Sequence, residues 1–199
     1  SKPSDKVYGA SAFTVSATTS ASLTVSFTSS TTGVCTVSGT TVTILSAGTC
    51  TLNADQSGNT TYLAATQVQQ SFDVTQTSQN SLSVSANTTS AAYTGSAYTA
   101  VPSFTTTGGS GNGAVTYSVV TGGSASTCAL STSAATATLT ATSVGTCLIA
   151  ATKASDTNYL SATTATPLTF TFTASAQTIT FTAPSNKTYG DLAFTVSPT

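Results

Sequence analysis

The sequence predicts an all-β protein, built from antiparallel β-sandwiches repeated in tandem. Three observations predict it. Apolar and hydroxyl-bearing residues alternate with period two, turn signals interrupt the chain at short intervals, and several segments recur at fixed offsets. Alternation of this kind puts one strand face on a core and the other in water. Leu23, Val25 and Phe27 alternate with Thr24 and Ser26, and Leu82, Val84 and Ala86 alternate with Ser83 and Ser85. Val115, Tyr117 and Val119 alternate with Thr116 and Ser118, and Leu168, Phe170 and Phe172 with Thr169 and Thr171. Between these runs lie Ser38-Gly39, Ala47-Gly48, Ser57-Gly58-Asn59, the glycine-rich stretch 108–113 and Gly122-Gly123. Many short strands with frequent turns are the sequence pattern of a sandwich. No segment carries a sustained helical stripe.

The repeats set the organisation. Across the 18 overlapping positions, residues 182–199 match residues 1–18 at 11 without a gap. Pro184-Ser185-Asn186-Lys187-Thr188-Tyr189-Gly190 repeats Pro3-Ser4-Asp5-Lys6-Val7-Tyr8-Gly9, which defines a period of 181 residues. Within that period, Ala47-Gly48-Thr49-Cys50-Thr51-Leu52 recurs as Val144-Gly145-Thr146-Cys147-Leu148-Ile149. Tyr62-Leu63-Ala64-Ala65-Thr66 recurs as Tyr159-Leu160-Ser161-Ala162-Thr163, and both matches lie 97 residues apart. The expected layout is module one over 1–77, module two over 78–175, and over 176–199 the start of the next period. Gln177–Phe181 reads as the first strand of the module beginning there. Its counterpart in module one would precede Ser1. Module one is therefore expected to have an open sheet edge, filled by preceding chain or by a neighbouring segment.

Composition narrows the function. Only 5% of residues are charged, against about 25% in ordinary globular proteins. Ser and Thr together fill 80 of 199 positions, and Arg, Glu, His, Met and Trp are absent. The neutral-pH acid–base groups are reduced to isolated Asp and Lys, so an enzyme is not expected. Four dispersed Lys at net charge −1 exclude a nucleic-acid groove, and no apolar run is long enough to span a membrane. Thr suits strands because its β-branch fits a pleated surface.

Lys187-Thr188-Tyr189-Gly190-Asp191-Leu192-Ala193-Phe194-Thr195-Val196 resembles the Tyr-Gly-Asp opening of bacterial immunoglobulin-like repeats. Leu23–Ser30, Val34–Gly39 and Ala47–Leu52 resemble the middle of such repeats, and Asn59-Thr60-Thr61-Tyr62 their late Asn-x-x-Tyr element. The resemblance covers nearly all of module one and the second half of module two; residues 87–127 fit less well. It implies tandem immunoglobulin-like sandwiches, arranged as beads on a string, in a large secreted or surface-anchored protein such as an adhesin. It implies no catalytic residues and no cofactor.

In that extracellular setting the four cysteines are read as disulfides. Three pairings are formally open. Cys35–Cys50 with Cys128–Cys147 is preferred, because each pair lies inside one repeat and recurs in the other. No Cys-x-x-Cys and no His are present, so zinc is not expected. Asp55, Asp73 and Asp156 have no acidic neighbours and are read as turn residues, not as a calcium set. Tyr8, Tyr62, Tyr159 and Tyr189 are read as corner-packing tyrosines, not as a sugar-binding surface. The role expected first is a stiff, disulfide-stapled spacer at the cell surface, with neighbouring repeats of the same chain as partners. The alternatives are a self-assembling subunit of an extracellular filament or sheath, partnered by identical chains, and a carbohydrate-binding module.

Overall fold

The computed structural model describes residues 2–94, 98–181 and 186–193. No helix occurs among them, and the strands form two sandwiches in series. The N-terminal sandwich contains β1 (Lys6–Val7), β2 (Phe13–Thr14), β3 (Ser26–Ser29), β4 (Cys35–Ser38), β5 (Thr41–Ile44), β6 (Gly48–Asp55) and β7 (Val68–Thr75). Its two layers have the strand orders β1-β7-β6-β3 and β2-β5-β4. The hairpin between β4 and β5 turns on Gly39, whose φ of 60° is the left-handed conformation that glycine adopts without strain.

The C-terminal sandwich contains β8 (Leu82–Ala86), β9 (Ser90–Ala92), β10 (Tyr98–Ala100), β11 (Phe104–Gly108), β12 (Val115–Val120) and β13 (Ala129–Leu130). It continues with β14 (Leu139–Ala141), β15 (Gly145–Lys153), β16 (Ala162–Thr163) and β17 (Leu168–Thr173). One layer runs β12-β15-β17-β9, with β16 beside β15. The other is assembled from β11-β8 and β10-β14-β13. Strands β10 and β11 are two stretches of one strand interrupted at the fully buried Pro102, which has no N–H to give to a ladder. A bridge from Ser103 to Thr136 and the bond from Phe104 N to Ala135 O (2.6 Å) continue the pairing past it. The result is the four-on-three strand arrangement of an immunoglobulin-like sandwich, with β9 added in parallel to the last strand β17. In the N-terminal sandwich β1 runs parallel to β7 in the same way.

Alternation builds the cores. On β17, Phe170 and Phe172 are buried and Thr169, Thr171 and Thr173 are not; on β6, Cys50 and Leu52 are buried. The C-terminal core gathers Phe104, Tyr117, Leu139, Cys147, Ile149, Phe170 and Phe172. The N-terminal core is smaller: Cys35, Val42, Cys50, Leu52, Phe72 and Val74. A disulfide joins the layers in each sandwich. Cys35–Cys50 spans Cα atoms 5.7 Å apart and Cys128–Cys147 spans 5.8 Å, ordinary separations for the bond.

Of the expected strands, one starts late and one is not formed. Leu23–Val25 lies outside any strand, and β3 begins only at Ser26. Gln177–Phe181 has the alternation of a strand but pairs with nothing among the described residues. A strand lacking a ladder leaves its N–H and C=O groups to water and gains nothing from extension. Residues 182–185 and 194–199, on which most of the 181-residue repeat rests, lie outside the described residues, as does Ser1.

Candidate functional site

Register equates the two sandwiches residue by residue. Phe27 pairs with Ala54 as Tyr117 pairs with Ala151, and Phe13 pairs with Val42 as Ala100 pairs with Leu139. Tyr117 is buried, its hydroxyl accepting a bond from Thr106 Oγ1 at 3.0 Å, whereas Phe27 is only half-buried. The difference comes from β8. In the C-terminal sandwich β8 pairs with β11 from Leu82↔Gly108 to Ala86↔Phe104 and lies against β15 and β17. Leu82 is buried, and Val84 and Ala86 pack on the core.

In the N-terminal sandwich the same position is an open groove of about 600 Å³. Residues 15–20, which follow β2 as β11 follows β10, form one wall. Val25, Phe27, Leu52, Ala54 and Val68 contribute apolar surface to the groove. Val15 N–H bonds to Thr40 O, but among the described residues no backbone bond ties residues 16–18 to another strand. This is an unpaired sheet edge beside an apolar surface, the arrangement that accepts an added strand.

A second built feature is the joint between the sandwiches. The chain leaves β7 through Gln76-Thr77-Ser78-Gln79 and meets a knuckle formed by residues 156–160. Thr77 N–H donates to Asn158 O at 3.0 Å, and Leu160 N–H donates to Thr77 O at 2.9 Å. Gln76 Nε2 donates to Asp156 O, and Gln79 Nε2 to Leu160 O (2.9 Å) and Ala154 O (3.1 Å). Asn158 Oδ1 reaches into the N-terminal sandwich, accepting from Ala47 N–H at 2.8 Å and Ser46 Oγ at 2.9 Å. The rings of Tyr8 and Tyr159 meet edge to face at 5.5 Å. Asp156 holds the knuckle closed, its carboxylate accepting from the N–H groups of Asn112, Asn158 and Tyr159 at 2.8–2.9 Å. These bonds, Asn112 first, hold its pKa below the ordinary 3.8, with a smaller contribution from Lys153.

The other aspartates and tyrosines depart from expectation. Asp55 and Asp73 lie in β6 and β7, not in turns, bonded to Gln67 Nε2 (2.8 Å) and Thr49 Oγ1 (2.8 Å). Strand phase put their carboxylates on the outer face, where neighbouring polar side chains bind them. Tyr62 is 52% exposed and Tyr189 fully exposed, so neither packs at a corner. The ring of Tyr159, by contrast, is met by Tyr8 of the neighbouring sandwich. Tyr189 sits on a turn in which Asp191 Oδ2 accepts from Thr188 N–H at 2.9 Å. Among the described residues no group of acidic, Cys or His side chains is arranged to hold a metal. The joint was missed in the sequence; the recurrence of Asn-x-x-Tyr and Asp-x-Asn-Tyr was its visible trace.

No family model and no curated protein matches the chain. Among solved structures it is similar to EC22–24 of mouse cadherin-23, at 15% identity and a TM-score of 0.41, covering 87% of this chain and 63% of that one. It is also similar to extracellular cadherin domains 3–6 of protocadherin gamma B2, at 19% identity and a TM-score of 0.37, covering 76% of this chain and 44% of that one. The chain thus spans under two thirds of the length of each.

Proposed function

We propose that this chain is a non-catalytic structural segment of an extracellular protein, made of immunoglobulin-like modules that meet near residues 77 and 175 and hold length against bending and unfolding. The observation that carries this reading is the joint, where the linker backbone is hydrogen-bonded to the following sandwich and Asn158 is bonded to the preceding one. Two disulfides in 199 residues support an oxidising, extracellular location. The Tyr-Gly-Asp turn at Tyr189–Asp191 and the recurring late tyrosine support membership of the bacterial surface-repeat type. Sparse charge suits a segment whose shape is insensitive to salt.

Single-molecule stretching tests the mechanical role. Each disulfide locks a loop, with sequence separations of 15 and 19 residues. Reduction is expected to lengthen the two unfolding steps by roughly 50 and 65 Å, at about 3.4 Å per residue. Extension without discrete unfolding steps would contradict it.

A further inference from the structure

We propose that Asn112 is a self-modifying site: in the folded chain its side-chain amide is converted through a succinimide to isoaspartate, and the product loosens the joint between the sandwiches. Asn112 is exposed in the loop between β11 and β12, and it is the one asparagine in the sequence followed by glycine. Glycine carries no side chain beside its nitrogen and leaves the backbone free to turn, so that nitrogen can approach the preceding side chain. Among the described residues, Gly113 N–H finds no acceptor and no hydrogen bond holds the Asn112 side chain. Asparagines elsewhere are pinned. Asn53 Oδ1 accepts from Gln69 Nε2 at 2.9 Å, and Asn59 Oδ1 from Thr61 N–H at 2.8 Å. Asn87 Oδ1 accepts from Ser103 N–H and Asn158 Oδ1 from Ala47 N–H, each at 2.8 Å. Asn80 is followed by Ser81 and Asn186 by Lys187, whose side chains crowd the attacking nitrogen.

The step needs only water and hydroxide, and nothing is oxidised or reduced. The Gly113 nitrogen gives its proton to hydroxide and bonds to Asn112 Cγ. The bond from Cγ to Nδ2 breaks, and Nδ2 takes a proton from water and leaves as ammonia. Water then opens the succinimide. Opening at Cγ gives aspartate. Opening at the Asn112 backbone carbonyl gives isoaspartate, whose backbone runs through Cγ and is longer by a methylene. Both products carry a new carboxylate. Asn112 N–H donates to Asp156 Oδ2 at 2.8 Å, so the new charge forms beside the carboxylate that closes the knuckle, and like charges repel. The added methylene has no room. A Cβ at Gly113 would overlap Ala154 O, and Ala154 N–H donates to Ala114 O at 2.8 Å. A lengthened backbone displaces that contact together with Asn112 N–H. Asp156 O accepts from Gln76 Nε2, so the knuckle that opens is the one that holds the linker.

The test holds the unaltered chain and an Asn112→Ser variant side by side in mildly alkaline buffer. The Asn112 side chain supports no bond among the described residues, so the variant is expected to melt at the same temperature. Peptide mapping locates the mass gain of amide turned to acid, and enzymatic methylation of isoaspartate identifies the product. Conversion is expected at Asn112 before any other asparagine, and faster as pH rises. The variant is expected to lose no amide in that loop. In the converted chain, separated by anion exchange, amide exchange at Thr77, Tyr159 and Leu160 is expected to accelerate by roughly tenfold or more. An Asn112 that keeps its amide while a synthetic peptide of residues 109–116 loses it overturns the proposal, because the fold then protects the site. Earlier conversion at another asparagine overturns it too. Conversion at Asn112 that leaves exchange at Thr77, Tyr159 and Leu160 unchanged overturns the coupling to the joint, while the joint of the fresh chain stands.

Discussion

At the scale of single residues, the cysteines and Asp156 show what position adds to chemistry. A cysteine in β6 lies on the same face as Leu52, so its sulfur points inward whatever its partner, and Cys50 is fully buried. The pairing with Cys35 closes a short loop across the two layers. In the chain-entropy model such a loop stabilises by about 3 kcal/mol. Replacing Cys35 and Cys50 together by Ala is expected to remove about that much from the N-terminal sandwich, read as a lower melting temperature insensitive to reductant. Asp156 gives a pH dependence of known sign. Its folded pKa lies below its ordinary 3.8, so the stabilisation is present above that value and is lost as pH falls through the folded pKa. Amide exchange at Asn112, Asn158 and Tyr159 should accelerate in that acid range. In Asp156→Asn the acid-dependent change should vanish, as expected from Asn59, which closes the equivalent knuckle without a charge. Gly111 belongs to the same device: its φ is +69°, and a Cβ there would overlap Asp156 Oδ2. Gly111→Ala should therefore release the carboxylate and loosen residues 111–112.

At the scale of elements, the strands that were legible are those whose alternation is matched by a partner. Strands β8, β12 and β17 stand where Leu82–Ala86, Val115–Val119 and Leu168–Phe172 alternate. The same pattern at Leu23–Val25 and Gln177–Phe181 gave no strand, because a ladder is a property of two segments and one sequence shows only one of them. The break at Pro102 and the parallel additions of β1 and β9 were illegible for the same reason. Burial is also unequal between equivalent elements. Leu139 in β14 is fully enclosed, and Leu139→Ala should cost about 2–5 kcal/mol. Val25 and Phe27, facing an open groove, should tolerate truncation to Ala with a much smaller loss, measured by chemical denaturation. Equal losses at the two sites would contradict a groove that is open.

At the scale of the whole molecule, the sequence repeats announced how many sandwiches to expect but not how they meet. The meeting depends on Asn158, Gln76 and Gln79, polar side chains among dozens, whose partners are backbone groups that only the fold brings near. Function of the structural kind proposed here rests on that joint more than on either sandwich alone. Asn158→Ala leaves Ala47 N–H without its acceptor and should widen the range of bending without altering the melting of either sandwich. The most direct measurement is of residual dipolar couplings on the unaltered chain, fitted separately for residues of β2–β7 and β8–β17. The joint predicts one common alignment tensor for both sandwiches, unchanged between low and high salt. Two tensors of different magnitude would mean that the sandwiches reorient independently, and the account of a hydrogen-bonded, length-holding segment would be wrong.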